Sequence, residues 1–192
     1  KHQIDMLYRR SSVENGKTRF LVEQYLKLID YGPMTDKWSA IEVAHSRQSA
    51  DYRFAFRKQP GHSVNVMCLI NPLRQGISRR SFEWNKMGDT SYDGDDIVII
   101  EGRDKDKKSN FIRLYIGLET YGVYKIELSR LDALFVYKKD NNGKLVLSYH
   151  KREAKFRVNV DPSKRELLNL KSSKVACRYR HEAIVVNIEA DR

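Results

Sequence analysis

Alternation of apolar and polar residues, cut at intervals by Asn-Gly or Asp-Gly, constrains this chain more than any other feature. "IDMLYRRSSV" and "TRFLVEQYLKLIDY" flank Asn15-Gly16, "SFEWNKMG" and "DIVIIEGR" flank Asp93-Gly94, and "LFVYKK" and "KLVLSYHKREAKFRV" flank "DNNG" (140–143). A period of two puts alternate side chains on opposite faces of a strand. The dipeptides supply the positive-φ pair of a tight hairpin turn whose twist matches paired strands. "FIRLYIGL" and "GVYKIELSRL" pair across "ETY", and "KVACRYR" and "AIVVNIEA" follow. Strands are also expected near 40–47 and over "YRFAFRK" (52–58). A helix is expected at 62–70, with Ser63 as its cap and Val66, Met67, Leu69 and Ile70 on its buried side, ending before Pro72. The fold class that follows is mainly β (α+β): a curved antiparallel meander sheet or half-barrel, with one or two helices covering one side and residues 1–192 in a single domain. Such a sheet has to hide its apolar face by curling or by accepting a helix over it.

The stretch "DTSYDGDDIVIIE" (89–101) looks first like a calcium loop. With Gly94 at the sixth position, Asp89, Ser91 and Asp93 fall on ligand positions, but the twelfth is Ile100 and the glutamate, Glu101, comes one residue late. The apolar residues 97–100 suit a strand. A hairpin turn at Asp93-Gly94 accounts for the stretch without a metal.

Composition narrows the function classes. The longest apolar run is "IVII" (97–100), well short of the roughly 18 residues a membrane helix needs. The chain opens at Lys1 in a strand-like segment, as a mature or trimmed form would. Cys68 and Cys177 allow one disulfide or two buried thiols, and the five histidines lack ligand spacing, so no metal or cofactor site is expected. The net charge of +11 invites a polyanion. The basic residues, however, are interleaved with acids throughout, and no zinc-finger, RNP or helix-turn-helix pattern is present. Anionic lipid surfaces and glycans fit the charge as well as nucleic acid does. In "HKREAKFR" Lys151, Glu153, Lys155 and Arg157 share a face expected to be solvated, opposite Arg152, Ala154, Phe156 and Val158. The candidate polyanion-binding residues are Arg152, Lys155, Arg157, Arg178 and Arg180.

No GxSxG, HExxH, P-loop or GxGxxG motif occurs. The carboxylate pairs Asp95/Asp96 and Asp104/Asp106 fall in expected turns or strand ends. A glycan hydrolase built on Glu101 and Glu119 would need its acids about 5–10 Å apart across a cleft. No catalytic residue is assigned, and the chain is expected not to be an enzyme.

Taken in order, several pieces resemble a group of secreted Gram-negative proteins. "DMLYRRSSVENGKTRFLVEQYLKLI" is similar to that group's "FYRE…EAVLEIYK" hairpin, "INPLRQG" to its "NPL" helix end, and "FEWNKMGDTSYDGDDIVIIEGR" to its "YDGR" hairpin. "RLYIGLETYGVYKIELS" and the ending from "KLVLSYHKREAKFRVNV" to "AIVVNIE" also resemble it. In that group the region follows an N-terminal carboxypeptidase-regulatory-like β-sandwich. Gly117 stands where the group has an acid, and Tyr8-Arg9-Arg10 carries no following glutamate. More distantly, the 115–127 hairpin resembles the periplasmic lipoprotein-carrier fold, a half-barrel whose concavity holds acyl chains. These resemblances imply a periplasmic or outer-membrane-associated domain without enzymatic activity, with a lipid, lipoprotein or envelope protein as partner on a concave face. The residues expected to line that face are Ile112, Leu114, Ile116, Tyr124, Ile126 and Leu128.

Overall fold

The fold is given by a computed structural model that describes residues 2–30, 41–48, 81–129, 132–167 and 169–190. Its strands are β1 (His2–Glu14), β2 (Lys17–Asp30), β3 (Ile41–Gln48), β4 (Phe82–Tyr92), β5 (Asp95–Asp104), β6 (Phe111–Gly117), β7 (Val123–Leu128), β8 (Ala133–Lys139), β9 (Leu145–Asn159) and β10 (Lys174–Ala190). One short helix, α1 (Pro162–Leu167), joins β9 to β10. All ten strands form one open sheet in the order β3-β2-β1-β10-β9-β8-β7-β6-β5-β4. Every neighbouring pair is antiparallel. The order is the chain order rotated: β10 returns to pair with β1, and β3 and β4, consecutive among the described strands, occupy opposite edges.

The glycine turns form where the sequence places them. Asn15 and Gly16 have φ of 46° and 80°, and Asp93 and Gly94 have 53° and 83°. Both pairs close hairpins in the mirror-image turn that right-twisted strands favour. Gly143 (φ 77°) ends the β8–β9 turn, where Asp140 Oδ1 accepts from the amides of Asn142 and Lys144. The expected strand over 52–58 and helix over 62–70, with its cap at Ser63, lie outside the described residues, as does Cys68. The helix that is described was missed in the sequence. Asp161 accepts from Ser163 N at 3.0 Å, Pro162 takes the first position, and Asn169 (φ 51°) closes the C-terminal end.

Register shifts at Asp5/Met6, Ser12/Val13, Tyr25/Leu26, Lys86/Gly88, Tyr115/Ile116 and Val136/Tyr137 insert extra residues, which bend strands and raise their twist. One face of the sheet is buried and the other charged. On β1 the alternate residues Ile4, Met6, Tyr8, Arg10, Ser12 and Glu14 are all buried. A cross-strand row on that face runs Ile100, Leu114, Ile126, Phe135, His150, Ala183, Tyr8 from β5 to β1. The adjacent row runs Gly102, Ile112, Leu128, Ala133, Arg152, His181, Arg10. The face is therefore apolar over β5–β8 and acquires polar groups at β9, β10 and β1.

The opposite face carries one line of charge across the whole sheet. From β4 to β3 it reads Asn85, Glu101, Arg113, Glu127, Leu134, Lys151, Glu182, Arg9, Glu23, Arg47, each directly opposite the next. Arg113 bridges Glu101 (2.6 Å) and Glu127 (2.9 Å), and Arg9 bridges Glu23 (2.6 Å) and Glu182 (4.0 Å). Arg47 Nε donates to Glu23 at 2.5 Å. Opposite charges directly across a strand pair stabilise it by about 0.2–1 kcal/mol.

Candidate functional site

The six apolar residues named from the sequence fall on one face of the sheet. Ile112, Leu114 and Ile116 on β6 stand beside Tyr124, Ile126 and Leu128 on β7, with Ile112 opposite Leu128 and Leu114 opposite Ile126. All except Tyr124 belong to one apolar cluster with Ala133, Phe135, Tyr137 and Leu147, and Trp84, Ile100 and Val123 pack against it. Trp84 sits over Gly102, where an added Cβ would lie 2.9 Å from three atoms of the indole. Tyr124 lies at the end of the patch. It is buried, its hydroxyl donates to Asp95, and Tyr92 packs on it edge-on with ring centroids 5.9 Å apart. Asp95 is further held by Lys139, and this ammonium and the Tyr124 hydroxyl keep its carboxyl below the usual range.

Where this face crosses β9, β10 and β1 it becomes polar but stays buried. Arg152, His181 and Arg10 are directly opposite one another, and His150 is the next inward residue on β9. His150 is 0% exposed and stacks against Phe135 at 4.3 Å. Its Nδ1–H donates to the Leu134 carbonyl at 3.2 Å, and its Nε2 is buried with no hydrogen-bond partner among the described residues. Burial, and then the charge of Arg152, push His150 down to about 4, against the opposing effect of the Leu134 carbonyl. His181, hydrogen-bonded through Nδ1 to the Tyr8 hydroxyl at 2.5 Å, is pushed to about 3 by burial and then by Arg10, Arg152 and His150. Both rings are neutral at pH 7. None of Tyr8, Arg10, His150 and His181 was singled out from the sequence. A usable signal was there, because Arg10 shares its parity with Ile4, Met6 and Tyr8.

The polyanion candidates divide between the faces. Lys155, Arg157 and Arg178 line an open groove of about 460 Å³ with Val13, Gly16 and Ala176 on the charged face. Arg180 is one step along β10 on the same face, donating to Glu182 at 2.9 Å. Arg152 points to the buried side, as expected for that parity. Glu153, expected to be solvated, is buried instead, because Lys155 (3.0 Å) and Arg178 (3.7 Å) close over it. Burial raises its carboxyl, but these and Lys151 outweigh that and leave it below the ordinary range.

The two acids considered for glycan hydrolysis are placed apart in role. Glu101 is 2% exposed and held by Arg103 (2.7 Å) and Arg113 (2.6 Å). Glu119 is exposed in the β6–β7 turn, beside Asp95 and Asp96 in a hollow of about 80 Å³. Among the described residues no group of three or more His, Cys, Asp or Glu is placed to hold a metal ion, and Asp104 Oδ1 is used by the amides of Asp106 and Lys107. Cys177 is a free thiol, raised to about 11 by burial and Glu14. No described helix is long and apolar enough to cross a membrane.

No family model matches the sequence, and no curated protein matches it. Solved structures with a similar course of chain include a DUF1329 family protein from Desulfovibrio piger, at 10% identity and a TM-score of 0.38, covering 99% of this chain and 85% of that one. An outer membrane lipoprotein-sorting protein domain from Vibrio parahaemolyticus follows at 9% and 0.40, covering 98% and 84%. A LolA superfamily protein from Nitrosomonas europaea stands at 12% and 0.37, covering 99% and 86%. Likenesses of this size say nothing of what the present chain binds.

Proposed function

We propose that the chain is a non-enzymatic binding domain of the cell envelope, and that the apolar part of its buried face takes the acyl chain of a lipid or lipidated protein. One observation carries the reading: Ile112, Leu114, Ile116, Ile126 and Leu128 converge with Trp84, Ile100 and Phe135 into a continuous apolar surface over β4–β8, bordered on one side by buried polar groups. Apolar contact is non-directional, so such a surface suits a flexible chain better than a polar substrate. Leu114, Ile126 and Phe135 in it are buried, and Trp84, Ile100, Ile112, Ile116 and Leu128 are partly buried. The envelope placement is supported by the ordered hairpin motifs of the sequence, and cell fractionation tests it.

Trp84 at the edge of the patch is a built-in reporter. In a Trp38→Phe background, titration with palmitate and with hexadecanol is expected to change the remaining tryptophan emission and to raise the Tm. A ligand at about 100 times its Kd adds about 2.7 kcal/mol. If neither alkyl compound alters emission or Tm, the acyl-chain reading is wrong. Heparin in the same assay reports on a second reading, a polyanion in the groove of Lys155, Arg157 and Arg178 with Arg180 beside it and Arg152 behind. Retention that drops steeply with salt would support it, and salt-insensitive or absent retention would remove it.

A further inference from the structure

Three cations gather on the groove beside the β1–β2 turn, on the charged face of the sheet. Lys155 on β9 is directly opposite Arg178 on β10, Arg178 is opposite Val13 on β1, and Arg157 is opposite Ala176 one step along. Side chains directly opposite stand about 5 Å apart at Cβ, and those two residues along a strand about 7 Å, so three long side chains can close on one small anion. Val13 and Ala176 supply an apolar floor to a groove of about 460 Å³. At Gly16 an added Cβ would meet nothing within 4 Å, so that end is open. Buried Glu153 holds two of the cations, at 3.0 Å from Lys155 Nζ and 3.7 Å from Arg178 Nε. Asp132 stands 3.9 Å from Lys155 but is 62% exposed, where solvent screens it. Arg157 is exposed and makes no ion pair among the described residues. Set against the one buried carboxylate, the three cations leave two positive charges at the groove.

We propose that Lys155, Arg157 and Arg178 form a binding site for a phosphomonoester whose organic part lies along Val13 and Ala176. The inference rests on the second reading above, an anion in this groove, which it narrows to one compact anion, and it is independent of the acyl-chain reading. Charge selects the class. A phosphomonoester carries close to two negative charges above its second pKa of about 6, on three terminal oxygens. A carboxylate, a sulfate ester or a phosphodiester carries one. Guanidinium groups meet phosphate oxygens through paired, charge-assisted hydrogen bonds, and Lys155 adds a point charge. Glu153 keeps Lys155 and Arg178 beside the groove before a ligand arrives, which lowers the ordering cost of binding. A long polyanion needs cations spread along a track. Here they are gathered at one end, and Arg180, the next residue of this face on β10, is already held by Glu182 at 2.9 Å. The groove has the volume of a small-molecule pocket and admits more than one phosphate group.

The monoester can be free in solution or borne on a lipid, and the test carries an arm for each. Calorimetry on the wild-type protein compares glucose 6-phosphate with glucose 6-sulfate. Sedimentation compares phosphatidylcholine vesicles containing phosphatidic acid, a monoester, with vesicles containing phosphatidylglycerol, a diester. In at least one arm the monoester is expected to bind about tenfold more tightly than its singly charged counterpart, as one added charge-assisted hydrogen bond suffices to give. The arm that shows it identifies the source. Arg157→Gln, at an exposed position, is expected to weaken monoester binding about tenfold, while Lys138→Gln, an equal loss of charge at an exposed position on β8, leaves it unchanged. Equal affinity for monoester and singly charged ligand in both arms would overturn the selection by charge. Equal losses in the two variants would reduce the effect to net charge and overturn the site. Heparin bound while neither monoester is bound would overturn this inference and leave the polyanion reading standing. Binding of none of these ligands would remove both.

Discussion

Glu101 shows what a single residue type leaves open. In the sequence it is an acid at the end of an apolar strand, one residue late for a calcium loop and without a second acid that the sequence can place across a cleft from it. In the fold it faces Arg113 across β6, and Arg103 two residues on folds back to it. Register between strands decides this, and one chain read in isolation does not contain it. Glu101→Gln is expected to lower stability by about 2 kcal/mol in urea unfolding, less than for a fully buried pair because both arginines are partly solvated. An unchanged midpoint would mean the ion pair contributes nothing. The apolar candidates were legible for the converse reason. Period two alone puts Ile112, Leu114 and Ile116 together, whichever partner strand they meet. Arg10, His150 and His181 escaped notice because polar residues in an alternating strand are usually read as the wet side.

At the scale of the element, turns were the most legible part of the chain. A dipeptide with two positive-φ residues has few other uses, and each of Asn15-Gly16 and Asp93-Gly94 closes the hairpin its sequence announces. An alanine at Gly94 would meet no neighbour within 4 Å, so its cost is that of φ +83° alone. Gly94→Ala is expected to lower stability by about 1 kcal/mol in chemical denaturation, and a loss several times larger would show that the turn makes contacts the geometry does not contain. Helix α1 was harder to see, since a six-residue helix with no buried residue has no amphipathic stripe to reveal it. Its Asp-Pro-Ser start was the available signal. Strand lengths were also hidden: β9 and β10 run 15 and 17 residues, long enough to cross from the apolar region into the polar one.

The whole molecule is organised by a pairing that no local pattern announces, β10 against β1, which seats the two ends of the described chain inside the sheet, third and fourth from the β3 edge. That pairing also assembles the histidine cluster, and its pH dependence follows. His150 and His181 titrate near 4 and 3 in the fold against 6.5 ordinarily, so below pH 6.5 the unfolded chain binds protons that the folded one refuses. Stability therefore falls as the pH drops from 6.5, and this loss levels off once the folded-state values are passed. A pKa unit is about 1.4 kcal/mol, which makes the full loss on the order of 3 kcal/mol for one histidine. Carboxylates such as Glu23, which Arg9 and Arg47 hold below 4.5, add their own loss only nearer that pH. Urea midpoints between pH 7 and 5 isolate the histidines, and a flat profile there would contradict their burial as neutral rings. The charged line from Asn85 to Arg47 acts at the same scale as a ruler. A strand displaced by two positions keeps its apolar side inward, so burial alone barely penalises the error. If β1 slipped in this way, Leu7 or Ser11 would stand between Glu23 and Glu182 in place of Arg9, leaving two carboxylates facing one another with no cation between them. Misaligned sheets are thus penalised at nearly every step across the molecule, and each correctly seated strand sets the alignment of the next.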